Sequence, residues 1–218
     1  MTNKETLIFV EGPSDRLFLG VYLFYLYFQE KFPIKNFKAQ NVDGKNNLSK
    51  RLLEIEKYDK TLIIFDADKN YESNKKEILK VVSKTKQTIS EEQIFLFPNN
   101  QDDGDLETLL LKIANHQEFI NCFESYLDCI KKKEDYKPIK DIRKNMLYAY
   151  LEAFGLEYLY IKKNIFDDNI GGKVKDEYKE DYERLKKAIK FESDLLIPLK
   201  NFLGQFAEND QKINPKIF

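Results

Sequence analysis

Six acidic residues fall in three short clusters: Glu11 and Asp15 in "VEGPSD", Asp66 and Asp68 in "IIFDAD", and Asp105 and Glu107 in "GDLE". The ExxxD, DxD and DxE spacings each set two carboxylates near one turn of chain. Brought together, such a set repels itself, since two carboxylates about 5 Å apart cost roughly 3 kcal/mol at an effective dielectric near 20. Divalent cations relieve that repulsion. Oxygen-only ligands, with no His or Cys among them, select hard ions, and the expectation is one or two Mg²⁺ or Mn²⁺. Two ions about 4 Å apart would stabilise both the attacking and the leaving oxygen of a phosphodiester.

Other chemistry is narrowed by what the chain lacks. His116 is its only histidine, and no Cys/His set has zinc-ligand spacing, so His-based triads and zinc hydrolases are excluded. Cys122 and Cys129, seven apart in a helical segment, would lie about 10 Å apart, too far for a disulfide. A net charge of -1 gives no whole-molecule argument for nucleic acid, so any basic surface has to be local. With 42% apolar residues in 218, the chain can bury a substantial core.

The acids become a site only if the elements around them converge. "TLIFV" (6–10), "TLIIF" (61–65) and "QIFLF" (93–97) read as strands, with "KAQNV" (38–42) a weaker fourth. Helical spacing follows in "NNLSKRLLEIEKY" and "NKKEILKVVSKTK", in a long helix from Ser14 or Asp15, and in one from Asp105 to Cys129 or Ile130. Alternating strands and helices predict βαβ units on a mainly parallel sheet, and continuous apolar strands predict a sheet covered on both faces. In a parallel sheet all strand C-terminal ends share one edge, where open α/β sheets build their sites. Glu11 directly follows the first strong strand, Asp66 and Asp68 the second, and Asp105 and Glu107 come one loop after the third.

After "KKKEDYK" the character changes. "DIRKNMLYAYLEAFG", "KDEYKEDYERLKKAIKF" and "SDLLIPLKNFLGQFA" are helical by period, punctuated by Gly155, Gly171, Gly172 and Pro198. The expected division is an α/β domain over 1–130 and a helical extension over 131–218 packed on it. The run Leu17–Phe28 is twelve residues, short of the roughly 20 that span a bilayer, and reads as a buried helix. The N-terminal apolar run is too short for a signal peptide, and a cytoplasmic protein is expected.

Each acid also has a plain structural reading. Ser14 or Asp15 could cap the first long helix, Asp105 the fourth, and Asp102 and Asp103 are loop residues before Gly104. The three clusters together, each after a strong strand, favour a metal site.

"VEGPSD" followed by a hydrophobic strand ending in "DAD" resembles the Toprim domain of topoisomerases, bacterial primases and several nucleases. "GDLE" resembles the acidic third motif of the overcoming-lysogenization-defect nucleases. "FLFPNNQDDGDLETLL" is closer still to small stand-alone Toprim-like bacterial proteins of unknown function. The resemblance covers Leu7 to Leu111 well and the helical remainder loosely. It implies a Rossmann-like Toprim domain and a Mg²⁺- or Mn²⁺-dependent nuclease acting on DNA or RNA, in phage defence or nucleic-acid processing. By the same resemblance, Glu11 would be a ligand and general acid/base, and Asp15, Asp66, Asp68, Asp105 and Glu107 ligands, directly or through water. A catalytic lysine after the third motif matches Lys144, with Lys140 its near rival. The chain has no zinc module, no topoisomerase tyrosine domain and no GxxxxGK[ST].

Two rivals stand beside this reading. In a haloacid-dehalogenase-type phosphatase, "IIFDADKN" would supply the nucleophile, but Asn70 stands where Thr or Val is wanted and Glu11 has no task. Alternatively the domain binds metal or nucleic acid without cutting, together with a partner protein that supplies the basic surface, and the Tyr-rich "YAYLEAFGLEYLY" forms the interface.

Overall fold

The computed structural model describes residues 6–30, 37–156, 166–167, 173–174 and 178–206. Four strands form one all-parallel sheet: Thr6–Val10 (β1), Phe37–Asn41 (β2), Lys60–Asp66 (β3) and Ile94–Phe97 (β4), in the order β2-β1-β3-β4. Val10 pairs with Ile64 and Asp66 with Phe97, so the ends of β1, β3 and β4 lie along one edge. The fold is a Rossmann-like α/β arrangement with helices on both faces and further helices towards the C-terminus.

Side-chain alternation splits the core into two layers. Ile8, Val10, Leu62, Ile64, Phe95 and Phe97 face one way, and Leu7, Phe9, Ile63, Phe65, Ile94 and Leu96 the other. The first layer carries Pro13–Glu30 (α1), and with it the later helices Leu106–Lys112 (α4), Gln117–Ile130 (α5), Ile142–Ala153 (α6), Lys179–Ala188 (α7) and Ile197–Gly204 (α8). The second carries the short helix Leu52–Ile55 (α2) and Tyr71–Val82 (α3). Strands buried on both faces need continuous apolar runs, which is why β1, β3 and β4 are so plain in the sequence. Edge strand β2 has a half-exposed pattern and is correspondingly faint.

The helices after 131 share the core of α1: Tyr22 stacks with Phe191 at 6.4 Å between ring centroids, and Phe95 of β4 lies 5.4 Å from Phe202 of α8. The Leu17–Phe28 run lies inside α1, and among the described residues no helix is long and apolar enough to cross a membrane.

Three sequence expectations need correction. The helix expected from Asp105 to Cys129 or Ile130 is two, α4 and α5. Between them Asn115 N–H donates to the Ala188 carbonyl at 2.8 Å and Lys190 N–H to that of Ile113 at 2.9 Å. Backbone pairing with a distant segment wins there over helical continuation. "NNLSKRLLEIEKY" is mostly a 3-10 helix, Lys45–Arg51, leading into the single turn of α2. The second half is not wholly helical: Phe166–Asp167 (β5) and Lys173–Val174 (β6) pair antiparallel. Gly171, Gly172, Tyr158 and Tyr160 lie outside the described residues. Cys122 and Cys129 are both free, as their spacing predicts.

Candidate metal centre

Strand β1 starts one crossover towards β2 and the chain then returns to place β3 on its other side, so the order reverses between β1 and β3. Open α/β sheets bind ligands in the crevice beyond such a reversal. Glu11 follows β1 and Asp66 ends β3, one on each side of it.

Each motif is built by local geometry. At the first, Gly12 precedes Pro13, whose missing N–H costs nothing at the first helical position. Asp15 reaches back and accepts the Gly12 N–H at 2.8 Å, so neither it nor Ser14 is the N-cap; α1 begins earlier than expected. A Cβ at position 12 would stand 3.3 Å from Asp15 Oδ2, a tight approach that explains glycine after Glu11. At the second, Asp68 has a left-handed backbone, φ 53°. Its N–H and carbonyl both bond to Gly104 at 2.7 Å, which ties the DxD loop to the third motif. Gly104, φ 143°, could not carry a Cβ without pressing on Pro98 and Thr108. Asn70 caps α3 by accepting the Ser73 N–H at 2.8 Å. Asp103 accepts the Tyr71 N–H and Asp102 an Asn99 amide, loop roles as expected.

At the third motif two carboxylates serve one helix start. Asp105 is the N-cap of α4, accepting the Thr108 N–H at 2.8 Å, and Asp66 Oδ1 accepts the Leu106 N–H at 2.9 Å from the end of β3. Glu107 lies in the first turn of α4.

The six acids divide electrostatically. Burial pushes Asp15 up to about 7, with the charges of Glu107 and Glu11 adding and the Gly12 N–H opposing. Asp66 is held well above the usual carboxylate range by burial, then by Asp15, Glu11 and Glu107. Glu11 is raised by burial and by Asp68, against the N–H of Lys45 and that of Asp66. Burial also raises Glu107, which Lys144 and Arg143 only partly offset. Mutual influence of this kind means that Glu11, Asp15, Asp66 and Glu107 converge.

Asp68 and Asp105 stand apart at the rim. Asp68 Oδ2 accepts the Lys45 ammonium at 2.8 Å. Asp105 would be raised by burial, but the Arg143 guanidinium and Thr108 hold it below its ordinary value. Arg143 grips it with Nε at 3.0 Å and Nη2 at 2.7 Å from Oδ2.

The acids fit a hard cation by donor type and by charge. Glu11 Oε2 is buried and has no hydrogen-bond partner among the described residues. Among the described residues, however, no group of three Asp, Glu, His or Cys side chains is already set around one point, so an ion would have to draw them in.

Lys144 lies at the start of α6, exposed, with Nζ 5.7 Å from the Tyr148 ring centre and its charge felt at Glu107. Lys140 offers its carbonyl to Asn145 in the turn before α6. Lys45, Asn74 and Arg143 were not expected in the site. For Lys45 the signal was present: "NVDGK" follows the fourth, weaker strand, whose C-terminal end lies on the same edge.

Residues 5–207 match the family model described as Protein of unknown function (DUF3226), and the chain belongs to that family. No curated protein and no solved structure matches the chain.

Proposed function

We propose that this protein is a Toprim-like, Mg²⁺- or Mn²⁺-dependent phosphodiesterase that cuts DNA or RNA, acting in the cytoplasm in phage defence or nucleic-acid processing. The observation that carries the reading is the convergence of Glu11, Asp15, Asp66 and Glu107 beyond the reversal point of a parallel sheet, all four raised by burial and two of them, Asp15 and Asp66, raised further by the charges of the others. Negative charge gathered without a matching cation calls for one from solution.

Glu11, Asp15, Asp66 and Glu107 would hold the ion or ions, with Asp68 joining from the rim. A bound hard cation supplies Lewis-acid polarisation of the phosphodiester and neutralises the carboxylates. Glu11 Oε2, with no donor on it among the described residues and with the Glu11 pKa raised, is the atom suited to take a proton from an attacking water. Lys144 would face the charge that develops on the phosphate. Asp105, held by Arg143 and Thr108, is better suited to fixing the start of α4 than to binding an ion.

The test begins with Mn²⁺ titration calorimetry on the wild type and Glu11→Gln. Micromolar-range binding that is lost in the variant is the expected result. Incubation with single-stranded, double-stranded and structured nucleic acids in Mn²⁺ should then yield cut products. Protein that binds Mn²⁺ and leaves all three uncut ends the nuclease reading.

A second reading, a non-catalytic metal- or nucleic-acid-binding module, is favoured by one observation: Lys45 and Arg143 already neutralise the two rim acids. A partner protein would then add basic surface to a chain of net charge -1. A dehalogenase-type phosphatase is disfavoured, because Asp66 as nucleophile would meet a phosphate dianion from among three other acids. Turnover of a small phosphomonoester would restore it.

A further inference from the structure

Lys45 reaches the acids from the loop after β2. Asp43 and Gly44, at φ 57° and 98°, turn the chain there. Gly44 N–H donates to the Glu11 carbonyl at 3.0 Å, and Lys45 N–H donates to Glu11 Oε1 at 3.3 Å. The root of the side chain is therefore fastened to the first motif. Its ammonium extends to the second, 2.8 Å from Asp68 Oδ2 and 2.9 Å from Asn74 Oδ1. Asn74 is buried and gives its own amide to the Ala67 carbonyl at 2.6 Å, which turns its oxygen towards Lys45.

This ammonium stands in a curious place for a purely structural ion pair. It touches Asp68, the most exposed of the six acids at 47% for the side chain, while Glu11 Oε2 nearby stays buried and has no partner among the described residues. A lysine is a compact charge on a flexible four-carbon stem, so its tip can move several ångströms with the backbone fixed. The Lys45 N–H would stay on Glu11 while the ammonium moves. A divalent cation drawn to Glu11 and Asp66 brings like charge beside that ammonium and competes for the same Asp68 oxygen.

We propose that Lys45 is the resident counter-ion of the site, that it yields Asp68 to an incoming divalent cation, and that the released ammonium then binds a phosphate of the nucleic-acid backbone. The proposal rests on the metal-dependent reading above. It makes phosphate binding conditional on the ion: without a cation Lys45 is occupied by Asp68, and with one it is available to substrate.

The experiment compares wild type with Lys45→Met in two measurements. In Mn²⁺ titration calorimetry at fixed pH and ionic strength, Lys45→Met should bind about 5- to 10-fold more tightly, because the competing ammonium is gone. In fluorescence anisotropy with a labelled DNA duplex carrying a single-stranded tail, Ca²⁺ takes the place of Mn²⁺ to hold back turnover. There the variant should bind about tenfold more weakly, with the slope of affinity against salt smaller by about one. In EDTA the two proteins should bind the DNA alike. Lys45→Gln, which can still donate to Asp68, is read the same way should Lys45→Met fail to fold. Wild type that binds Mn²⁺ while the folded variant binds it equally or less tightly makes Lys45 a fixed structural partner, and overturns this proposal alone. A DNA-affinity loss of the same size in EDTA overturns it too. Wild type that binds no Mn²⁺ removes the metal-dependent reading and the proposal with it.

Discussion

Asp66 and Asp105 begin from nearly the same position. Each is a carboxylate accepting a backbone N–H from the first turn of α4, at 2.9 and 2.8 Å. Their electrostatic surroundings are opposite. Asp105 faces Arg143 and is held below its ordinary pKa, whereas Asp66 is driven well above it by burial and then by Asp15, Glu11 and Glu107. A helix N-terminus by itself welcomes one negative charge. It does not account for four. The contrast separates two kinds of acid in one site: rim acids that are satisfied by the protein's own cations, and inner acids that are not.

The largest consequence lies in the pH dependence of stability without metal. Asp15 has an unfolded-state pKa near 3.8 and a folded one of about 7. Its raised value contributes stability that is full below about pH 4 and is lost as pH rises through about 7. The cost at neutral pH is on the order of a few kcal/mol, and the raised Asp66, Glu11 and Glu107 act with the same sign. In EDTA, thermal melts should therefore show a lower Tm at pH 8 than at pH 5. Asp15→Asn can still accept the Gly12 N–H and should flatten much of that difference, as should Mn²⁺ at pH 8. A wild-type Tm that is unchanged or higher at pH 8 would erase the distinction between inner and rim acids.

The second effect is on ion affinity. Glu11→Gln and Asp66→Asn should each lower Mn²⁺ affinity by more than the roughly 100-fold that loss of a supporting group can cost. Asp66→Asn keeps an acceptor for the Leu106 N–H, so its fold should survive and the loss can be assigned to charge. Calorimetry on both variants checks this, and full-strength binding by either would remove that residue from the inner set.

How much of this division could be read from the chain depends on the range of the interactions involved. Strands β1, β3 and β4 were plain, because burial on both faces demands unbroken apolar runs such as Leu62–Phe65. The convergence of the acids followed from those strands being parallel. The pairing of the rim acids did not follow, since it depends on side chains far along the chain: Lys45 lies 23 residues from Asp68, and Arg143 lies 38 from Asp105. The break between α4 and α5 has the same origin, in pairing between Asn115 and Ala188. In each case a local pattern was legible and a distant partner changed its meaning.

Lys144 tests the third cation. Exposed and in loose contact with Tyr148, it should tolerate Lys144→Ala with stability within about 0.5 kcal/mol. If it faces the reacting phosphate, the same variant should cut nucleic acid about tenfold more slowly while binding Mn²⁺ as before. An unchanged rate would assign it to the surface.

The smallest effects should come from the rim pair of Asp105 and Arg143, and their smallness is informative. The Arg143 side chain is 52% exposed and that of Asp105 20%, so solvent screens the pair, and Arg143→Ala should cost only about 1 kcal/mol in a denaturant melt. Asp105→Asn retains an oxygen for the Thr108 N–H and so keeps the cap that an alanine would lose. If Asp105 serves the helix and Arg143, Mn²⁺ affinity in Asp105→Asn should stay within about twofold of wild type, against the loss of more than about 100-fold at Asp66. An equal loss at both would mean that the ion draws Asp105 away from Arg143. The two acids at the start of α4 would then be ligands of one kind, separated only while the ion is absent.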